Sequence, residues 1–343
     1  MKKPLFLATF SILASTFTIV KAQNPFSHLI QASAADATRL IQAYTEPLFK
    51  GFGTGLNSGW NNTAETEKFL HSDIRFSVDF AQVPTSDQTF DVTKIGLSNH
   101  LVVDPSSPTN IAQSYGGSTS GTVPIMDVKD DNGKTLATFN MPRGQLSYIP
   151  APDVQATLGL PFNTDVTIRT LPNINLGGGA GAVKAFGFGI KHNIIQDFAS
   201  STEEGDLFPF DLAVAVNYNR ITYSNDLNVQ LDNSNFSNQT LLGKFSGTTF
   251  QAIFSKKFFF FTPFASLSYQ NANTNLGVFG VYPIASSSST YTTVTDPVHI
   301  QENTVSGLRA DLGFQLKLSV FRIYLSVSEG QYLSGNVGFG LGY

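Results

Sequence analysis

The chain has 343 residues, only 13% of them charged, and a formal net charge of −4; soluble domains typically carry about 25% charged residues. The sequence contains no Cys, which excludes disulfide scaffolds and sites that need a Cys ligand or nucleophile. It also lacks the basic surplus of a nucleic-acid binder. Low charge together with 30 Phe and 29 Gly is typical of strands in an apolar environment.

The first 22 residues predict an export signal. Lys2 and Lys3 precede a run from Leu5 to Val20 that is apolar apart from Ser and Thr. This run is shorter than the roughly 20 residues of a membrane-spanning helix. Val20 and Ala22 occupy the small-residue positions of a signal-peptidase site. We therefore expect cleavage after Ala22 and an exported protein; an uncleaved anchor helix is the alternative.

Residues 23–68 predict a helix followed by a glycine-rich stretch. Ser33 can cap a helix over residues 33–48, in which apolar residues recur every three or four positions. Glycine is dense over residues 51–55, which predicts tight backbone turns. The segment is expected to form either a plug inside a barrel or a periplasmic arm beneath it. The candidate plug residues are Leu40, Ile41, Tyr44, Leu48 and Trp60.

Residues 69–343 predict an all-β fold, an antiparallel transmembrane β-barrel of 12–14 strands in the outer membrane. Segments such as residues 73–80, 308–316 and 322–328 alternate apolar with polar side chains. Barrel strands alternate in this way between lipid and lumen over about 9–11 residues. A soluble β-sandwich alternates too, but its solvent-facing positions usually carry Lys, Glu and Thr, where this chain has Gly, Ser and Asn.

The chain ends on an alternating strand. Its apolar positions are Val337, Phe339, Leu341 and Tyr343, with Asn or Gly between them. This ending resembles the C-terminal signal that the outer-membrane barrel assembly machinery recognises. The resemblance implies that this machinery and outer-membrane lipid are partners of the chain.

Connection lengths predict the orientation and the number of strands. Residues 160–163, 256–257 and 316–320 read as short turns, whereas residues 224–244 and 271–303 read as long polar loops. Bacterial barrels have short periplasmic turns and long external loops. Counting back from the C-terminus gives 12 strands when residues 90–97 and 135–139 are included. Residues 98–134 then fall on the periplasmic side, where they could enter the lumen or contain two more strands.

Three stretches, Tyr44–Ala64, Leu158–Ile174 and Gly187–Asn193, resemble an uncharacterised family of exported, outer-membrane barrel-like proteins from Bacteroidetes-type bacteria. More distantly, the layout of a helix followed by a barrel is similar to that of the outer-membrane long-chain fatty acid transporters. Those have 14 strands and an N-terminal hatch in the lumen, and they pass hydrophobic molecules. This similarity implies a passive transport function, as an analogy of architecture.

Charged residues on the predicted strands are expected to face the lumen. A Lys or Arg that faces lipid at the middle of the bilayer costs about 2–4 kcal/mol. Because the first strand closes on the last, charges from both ends of the chain can share one wall. They could line a permeation path, lock the plug, or simply fill the lumen. The candidates are Arg75, Asp79, Arg169, Arg309, Asp311 and Arg322, and Arg220 can also point inward.

Three functions are compatible with this sequence. The first is a passive outer-membrane channel or transporter for small molecules, hydrophobic ones included, gated by the plug. The second is a non-transporting surface protein. Its loops at residues 224–244 and 271–303 would bind a partner, with Phe236, Tyr282 and Tyr291 as candidate contacts, or it would be a component of a larger envelope complex. The third is a barrel-embedded hydrolase, which would need a His within about 3.2 Å of a Ser hydroxyl on the rim. The chain lacks the GxSxG and HExxH motifs, so we expect no enzyme activity and no catalytic, cofactor or metal site.

Overall fold

The computed structural model describes residues 33–175, 181–199, 208–227, 238–285 and 291–343. The expected signal peptide and Phe236 therefore lie outside the described residues. Two α-helices occur in the described part, α1 (Ala34–Asn57) and the short α2 (Ile194–Ala199). None of the described helices is both long and apolar enough to span a bilayer.

Strands make up most of the described chain. In chain order they are β1 (Ser72–Gln82), β2 (Thr89–Asp91), β3 (Leu101–Val103), β4 (Ile111–Gln113), β5 (Ile125–Lys129), β6 (Thr135–Asn140), β7 (Tyr148–Leu160), β8 (Thr164–Asn175), β9 (Ala182–Asn193), β10 (Asp211–Asp226), β11 (Thr240–Ser255), β12 (Phe261–Phe279), β13 (Val281–Ala285), β14 (Tyr291–Thr295), β15 (Val298–Leu318), β16 (Phe321–Glu329) and β17 (Ser334–Gly342). Ten of the described strands close one antiparallel barrel in the order β1, β7, β8, β9, β10, β11, β12, β15, β16, β17.

The predicted all-β barrel with an N-terminal helix is confirmed, but the predicted number of 12–14 strands is wrong. The predicted number includes residues 90–97 and 135–139 as barrel strands. The strands actually found there, β2 and β6, have three and six residues, too few for the roughly 9–11 residues that cross a bilayer. They belong to two small separate sheets, β2–β4 and β3–β5–β6. Without them the barrel has ten strands in the described chain.

The small sheets lie in a segment of residues 83–147 that we call the cap. The cap lies at the end of the barrel opposite the C-terminus, which we call the loop end. The two ends of the barrel are fixed by pairing: the N–H of Ser72 donates to the carbonyl of Tyr343 at 3.0 Å. Because β1 runs from there to Gln82, the cap begins at the end opposite the C-terminus, and β7 starts from the same end. The prediction that residues 98–134 lie at the same end of the barrel as the C-terminus is therefore wrong, because it depended on counting β2 and β6 as barrel strands.

The outer surface of the barrel is apolar and its interior is polar, the reverse of a soluble protein. On β17, for example, Val337 and Phe339 are exposed while Asn336 is buried. Such a surface is suited to lipid. Apolar side chains exposed on the outer surface include Ile74, Phe76, Phe80, Phe186, Phe188, Ile190, Val214, Val216, Tyr218, Phe250, Phe254, Leu267, Tyr269, Leu308, Leu312, Ile323, Leu325, Val327, Val337 and Phe339.

This polarity inverts along the four longest strands, β10, β11, β12 and β15, which have 16–21 residues. On β11, outward Phe250 and Phe254 are followed toward the loop end by outward Lys244, while the inward positions change from Gln251 to Phe245. The strands thus leave the membrane and continue as a wall around an apolar core. That core is completed by the cap and the first half of α1.

Candidate functional site

Helix α1 and the residues after it run through the barrel from end to end. The helix contacts β1, β7, β10, β11, β12 and β15, strands from around the circumference. At the loop end, Asp36 accepts a hydrogen bond from the N–H of Ser98 at 2.8 Å. At the opposite end, the N–H of Glu67 donates to Asp165 at 2.9 Å. Residues 34–67, which we call the plug, therefore run through the interior of the barrel wall and do not lie beneath the barrel.

The helix is longer than the residues 33–48 expected from the sequence, because the glycine-rich stretch is helical. A Cβ on Gly51 would lie 2.5 Å from Ile149, one on Gly53 2.9 Å from Ala272, and one on Gly55 2.5 Å from Ala151. Glycine here makes the helix narrow enough for the lumen and does not form a turn. The turn comes later, at Gly59, whose φ is +64°, as is common just after a helix C-terminus.

The barrel wall caps the C-terminal end of α1. The last carbonyls of a helix lack intrahelical partners, and this end carries partial negative charge that favours cations. Arg169 donates to the carbonyl of Ser58 at 3.0 Å and to that of Leu56 at 3.4 Å. Asn219 also donates to the Leu56 carbonyl. These contacts fix the depth of the helix in the barrel.

Arg169 also holds Trp60, the one Trp of the sequence. Its guanidinium lies 4.0 Å from the centre of the indole, within cation–π range. On β9, a Cβ on Gly187 would meet the indole at 2.9 Å and one on Gly189 at 3.2 Å, so glycine at these inward positions makes room for the ring. The Arg169 Nε lies 3.4 Å from the Asp153 carboxylate.

Three further cations hold residues 59–67. Arg75 donates to Asn62 Oδ1 at 3.0 Å and to the carbonyl of Gly59. Arg322 pairs with Glu67. Lys191 donates to the carbonyl of Glu65 at 2.7 Å and lies 3.1 Å from Asp165. Lys191 was missed as a lumen residue, although it shares the inward alternation of Gly187 and Gly189.

All six candidate lumen residues face the interior. Arg309 Nε lies 2.8 Å from Asp311, and its Nη1 donates to the Ser58 hydroxyl at 3.4 Å. Asp79 accepts from Asn336 at 2.8 Å. The structure thus brings Arg75, Asp79, Arg169, Arg309, Asp311 and Arg322 to the plug or to its immediate surroundings. Arg220 instead is exposed, and its inward placement is wrong: it lies beyond Tyr218, where the polarity inverts and charge faces water.

The candidate plug residues divide between two environments. Trp60 lies in the lumen, whereas Leu40, Ile41 and Tyr44 are fully buried in the apolar core beyond the membrane and Leu48 is half-buried. Tyr44 donates to the carbonyl of Arg143 in the cap at 2.9 Å. Helix α1 therefore joins the lumen to the cap.

The loop aromatics expected to contact a partner are not displayed by the described structure. Tyr282 is fully buried and donates to the carbonyl of Phe279 at 3.1 Å. The side chain of Tyr291 and all of Phe236 lie outside the described part.

The barrel wall parts between β7 and β8. These strands pair only from Gln155–Arg169 to Leu160–Thr164. Toward the loop end, β7 pairs with β1 alone and β8 with β9 alone within the described chain. Three prolines line the parting: Pro150 and Pro152 on β7, and Pro172 at an irregularity of β8. Because proline has no N–H to donate, the sequence itself prevents a continuous ladder here.

We call this parting the cleft. Its wall is formed by Pro152, Val154, Leu171, Ala185 and Phe186, its floor by Gly55 and Leu56 of α1, and its inner end by Asp153 and Arg169. The cavity has a volume of about 30 Å³, room for about one water molecule. The cleft is thus an apolar opening from the lipid face to the plug, closed by the helix itself.

A hydroxyl, an imidazole and a carboxylate meet on the rim of the barrel at the end that holds the C-terminus. Thr164 Oγ1 lies 3.0 Å from Nδ1 of His192, and Nε2 of His192 lies 2.9 Å from Asp197. The Thr164 hydroxyl also donates to the carbonyl of Phe162 at 2.8 Å, a contact that competes with the imidazole for the hydroxyl proton. The cluster ties β8, β9 and α2 together, and the absence of enzyme activity stays a prediction.

Comparisons with known proteins identify a family and similar barrels. The translocator domain of the autotransporter NalP from Neisseria meningitidis is 12% identical, with 86% of this chain and 92% of that chain covered and a TM-score of 0.29. A Pseudomonas aeruginosa FadL homologue is 10% identical, with coverages of 86% and 97% and a TM-score of 0.23. The outer membrane transporter YddB from Escherichia coli is 6% identical, with coverages of 76% and 39% and a TM-score of 0.28.

These TM-scores are too low to support a functional argument. No curated protein matches the sequence. One family model does match, and it spans residues 1–343. The resemblance to an uncharacterised family is thereby confirmed: the chain belongs to the family of unknown function DUF6588.

Proposed function

We propose that the protein is an outer-membrane barrel, with its cap outside the cell, that takes small hydrophobic molecules in through the cleft. One observation carries this proposal: β7 and β8 part at the place where α1 forms the floor of the opening. A molecule dissolved in the outer leaflet would meet an apolar entrance there, without first crossing the cap.

The chemistry of the cleft supports a built-in entrance. An open strand edge in lipid is costly because its backbone donors find no water. Pro150 and Pro152 remove two such donors from β7, so the edge can remain unpaired at lower cost. The apolar side chains of Val154 and Leu171 suit a hydrophobic solute better than an ion.

Passage requires the plug to move, because the resting cleft has a volume of only about 30 Å³. Around Trp60 the plug is held by hydrogen bonds from Arg75, Arg169 and Lys191 to its carbonyls, rather than by apolar packing. Water can replace such contacts at small net cost. The apolar contacts of Leu40 and Ile41 with the cap would meanwhile keep the helix attached.

Uptake of N-phenylnaphthylamine by intact Gram-negative cells tests this function, because lipopolysaccharide slows entry of this hydrophobic dye. Cells with the wild-type chain should take it up several-fold faster than cells with empty vector. Ala185→Phe, which fills the cleft, should return uptake to the vector level. Ala252→Phe is the matched control, since Ala252 is exposed on the lipid face of β11, and it should leave uptake unchanged.

Two further measurements make the result interpretable. Heat-modifiable migration in SDS gels reports whether each variant is folded, and hydrolysis of nitrocefin by a periplasmic β-lactamase reports general leakiness. Equal dye uptake by vector and wild-type cells, or unchanged uptake in folded Ala185→Phe, would contradict transport through the cleft.

A second function, a non-transporting surface protein, is favoured by a separate observation. The cap and the extended wall share an apolar core that contains Leu101, Met126 and Phe139 of the cap. Such a core gives the loop end the character of a folded extracellular domain rather than of loose loops. Failure of the uptake assay in folded protein would make this the better proposal.

A further inference from the structure

We propose that the barrel binds a phosphorylated lipid of the outer leaflet on the outer face of β9, β10 and β11. The binding surface is formed by Lys184, Arg220 and Lys244, which we call the basic patch. The lipid would place its phosphate on the basic patch and its acyl chains on the apolar strand faces beside it. The proposal rests on the proposed orientation, with the loop end outside the cell, and does not depend on transport through the cleft.

Strand register brings the three cations of the basic patch together. Lys184 of β9 and Lys244 of β11 both pair with Thr222 of β10, so their backbones lie two strand spacings apart, about 10 Å. Arg220 lies two residues from Thr222 and therefore on the same face of β10. All three side chains are exposed on the outer surface. They are long and flexible, so a single anion between the strands is within their reach.

The positive charge of the basic patch has no acidic counterpart in the described structure. Lys50, Lys191 and Lys257 all form ion pairs with carboxylates, but no described carboxylate pairs with a member of the basic patch. Asp226, further along the same face of β10, accepts a hydrogen bond from Thr240 instead. The net charge of the chain is −4, so the patch is a local excess of positive charge. Such a surface is complementary to an anion.

The basic patch begins where the lipid-facing surface of these strands ends. Phe186 of β9 pairs with Arg220, and Tyr218 occupies the preceding outward position of β10. Both aromatic side chains are exposed. Aromatic side chains of membrane barrels lie at the boundary between hydrocarbon and headgroups. A cation one step beyond them is at the level of the headgroups, where basic clusters bind lipid phosphates.

Connection lengths assign the basic patch to the outer leaflet. At the end that holds the C-terminus, β7 is joined to β8 by residues 161–163 and β15 to β16 by residues 319–320. The loop end instead carries the cap. Barrels of this kind place short turns in the periplasm. The occupant is therefore an outer-leaflet lipid, and lipid A, the phosphorylated glycolipid of lipopolysaccharide, has the required chemistry.

Native mass spectrometry of the purified full chain in detergent tests this proposal, because it counts the lipids that remain bound. The probes are bisphosphorylated lipid A, fully dephosphorylated lipid A and phosphatidylglycerol, with inorganic phosphate as a competitor. Binding is measured on purified protein, so it can persist when dye uptake fails, and dye uptake can persist when binding fails.

Two triple variants are compared with the wild type. The patch variant carries Lys184→Gln, Arg220→Gln and Lys244→Gln. The matched control removes the same charge at exposed positions of the cap, through Lys94→Gln, Lys134→Gln and Arg143→Gln. Heat-modifiable migration selects folded protein in each case.

We expect the wild type and the control to bind bisphosphorylated lipid A at least about tenfold more tightly than the patch variant does, and added salt to weaken this binding. Dephosphorylated lipid A should bind weakly to all three proteins. Equal binding of bisphosphorylated lipid A by the patch variant and the control would overturn the proposal, as would equal binding of the two forms of lipid A by the wild type.

Two further outcomes concern the identity of the occupant. Displacement of lipid A by inorganic phosphate at equal concentration would indicate a site for a free anion and would overturn the assignment to a lipid. Tighter binding of phosphatidylglycerol than of lipid A would assign the basic patch to the inner leaflet, which overturns both this proposal and the proposed orientation.

Discussion

At the scale of single residues, Arg169 joins the wall, the helix end and the indole. It contacts the carbonyls of Leu56 and Ser58, the carboxylate of Asp153 and the ring of Trp60. Its inward position could be predicted from the alternation of residues 165–170. The partners could not, because nothing in the sequence says that a helix end lies opposite β8.

We expect Arg169→Met to loosen the plug. The variant removes the Arg169 donor from the carbonyl of Ser58 and the cation from the Asp153 carboxylate. Removing one partner of a buried ion pair costs about 3–5 kcal/mol. Trp60 emission should shift to longer wavelength and become more accessible to acrylamide. Arg220→Met is the control, because Arg220 is exposed on the outer surface. Equal spectra for the two variants would contradict the role given to Arg169.

Asp87 gives the cap a dependence on pH. Its carboxylate accepts hydrogen bonds from Tyr332 at 2.8 Å and from Lys50 of α1 at 3.0 Å. Burial raises the pKa of this carboxyl, but the hydrogen bonds from Tyr332 and Lys50 outweigh burial and hold the pKa below its ordinary value of 3.8. A lowered pKa stabilises the folded state above the unfolded-state value, and that stabilisation is lost as pH falls through the folded-state value.

We therefore expect Asp87→Asn to lower the free energy of unfolding near neutral pH by roughly 1 kcal/mol. Urea unfolding in detergent at several pH values measures the effect. The difference from wild type should shrink as the pH falls from 3.8 through the lower pKa of the folded state, below which the wild-type carboxyl is also protonated. Asp131→Asn, at an exposed position of the cap, should show no such trend. A difference that persisted in acid would mean that Asp87 acts through something other than its charge.

At the scale of elements, the glycine run of α1 reveals a limit of sequence reasoning. Gly51, Gly53 and Gly55 read as turn formers because glycine weakens a helix by about 0.5–1 kcal/mol relative to Ala. In the barrel, they are the residues that let the helix approach the wall. The width of the lumen, a property of the closed sheet, decides between the two interpretations.

We expect Gly55→Val to prevent insertion of the helix, because a side chain there meets Ala151. The folded fraction in a heat-modifiability gel should fall, and Trp60 in the remaining protein should be exposed. Ala35→Val places the same side chain at an exposed position of the helix. It lowers helix propensity, which Gly55→Val does not, and should still behave like wild type. A normal Trp60 spectrum in Gly55→Val would show that the wall can yield.

The ten barrel strands of the described chain are largely predictable from the sequence, because each alternates over enough residues to cross a membrane. The strands of the cap cannot be distinguished from barrel strands by alternation alone, because residues 90–97 and 135–139 also alternate apolar with polar side chains. Length was the distinguishing signal, as strands of three to six residues cannot span a bilayer. The only sign in the sequence that β7 parts from β8 is the prolines. Whether a proline interrupts the pairing of a strand depends on whether its missing N–H would face a neighbouring strand, and this cannot be read from the sequence.

The prolines of β7 should keep the cleft open. Replacing Pro150 and Pro152 together by Val restores two backbone donors and raises the strand propensity of this edge. We expect β7 and β8 to pair further and dye uptake to fall. Pro263→Val is the control, since Pro263 lies in β12, which pairs on both sides. Unchanged uptake in the double variant would mean that the prolines do not determine the opening.

At the scale of the whole molecule, the plug passes through two different environments, an apolar core and a polar lumen. Its first half packs into an apolar core formed with the cap, as in a soluble domain. Its second half is held in a polar lumen by charged side chains of the wall. We therefore expect loss of the first half of the plug to destabilise the cap, and loss of the second half to open the lumen.

Release of the plug should convert a closed barrel into a conducting one. A protease site placed at Lys68–Leu70, in the exposed linker before β1, allows cleavage after the full chain has folded. Moderate urea should then detach the fragment, and loss of Trp60 fluorescence from the barrel would record its departure. In planar bilayers the intact protein should show no sustained conductance, and the released barrel should conduct.

Cleaved protein that retains Trp60 is the control, and it should show no conductance. Conductance by the intact protein would mean that the plug does not seal the lumen. Silence after release would mean that the wall side chains fill it unaided, and the surface-protein function would then be preferred.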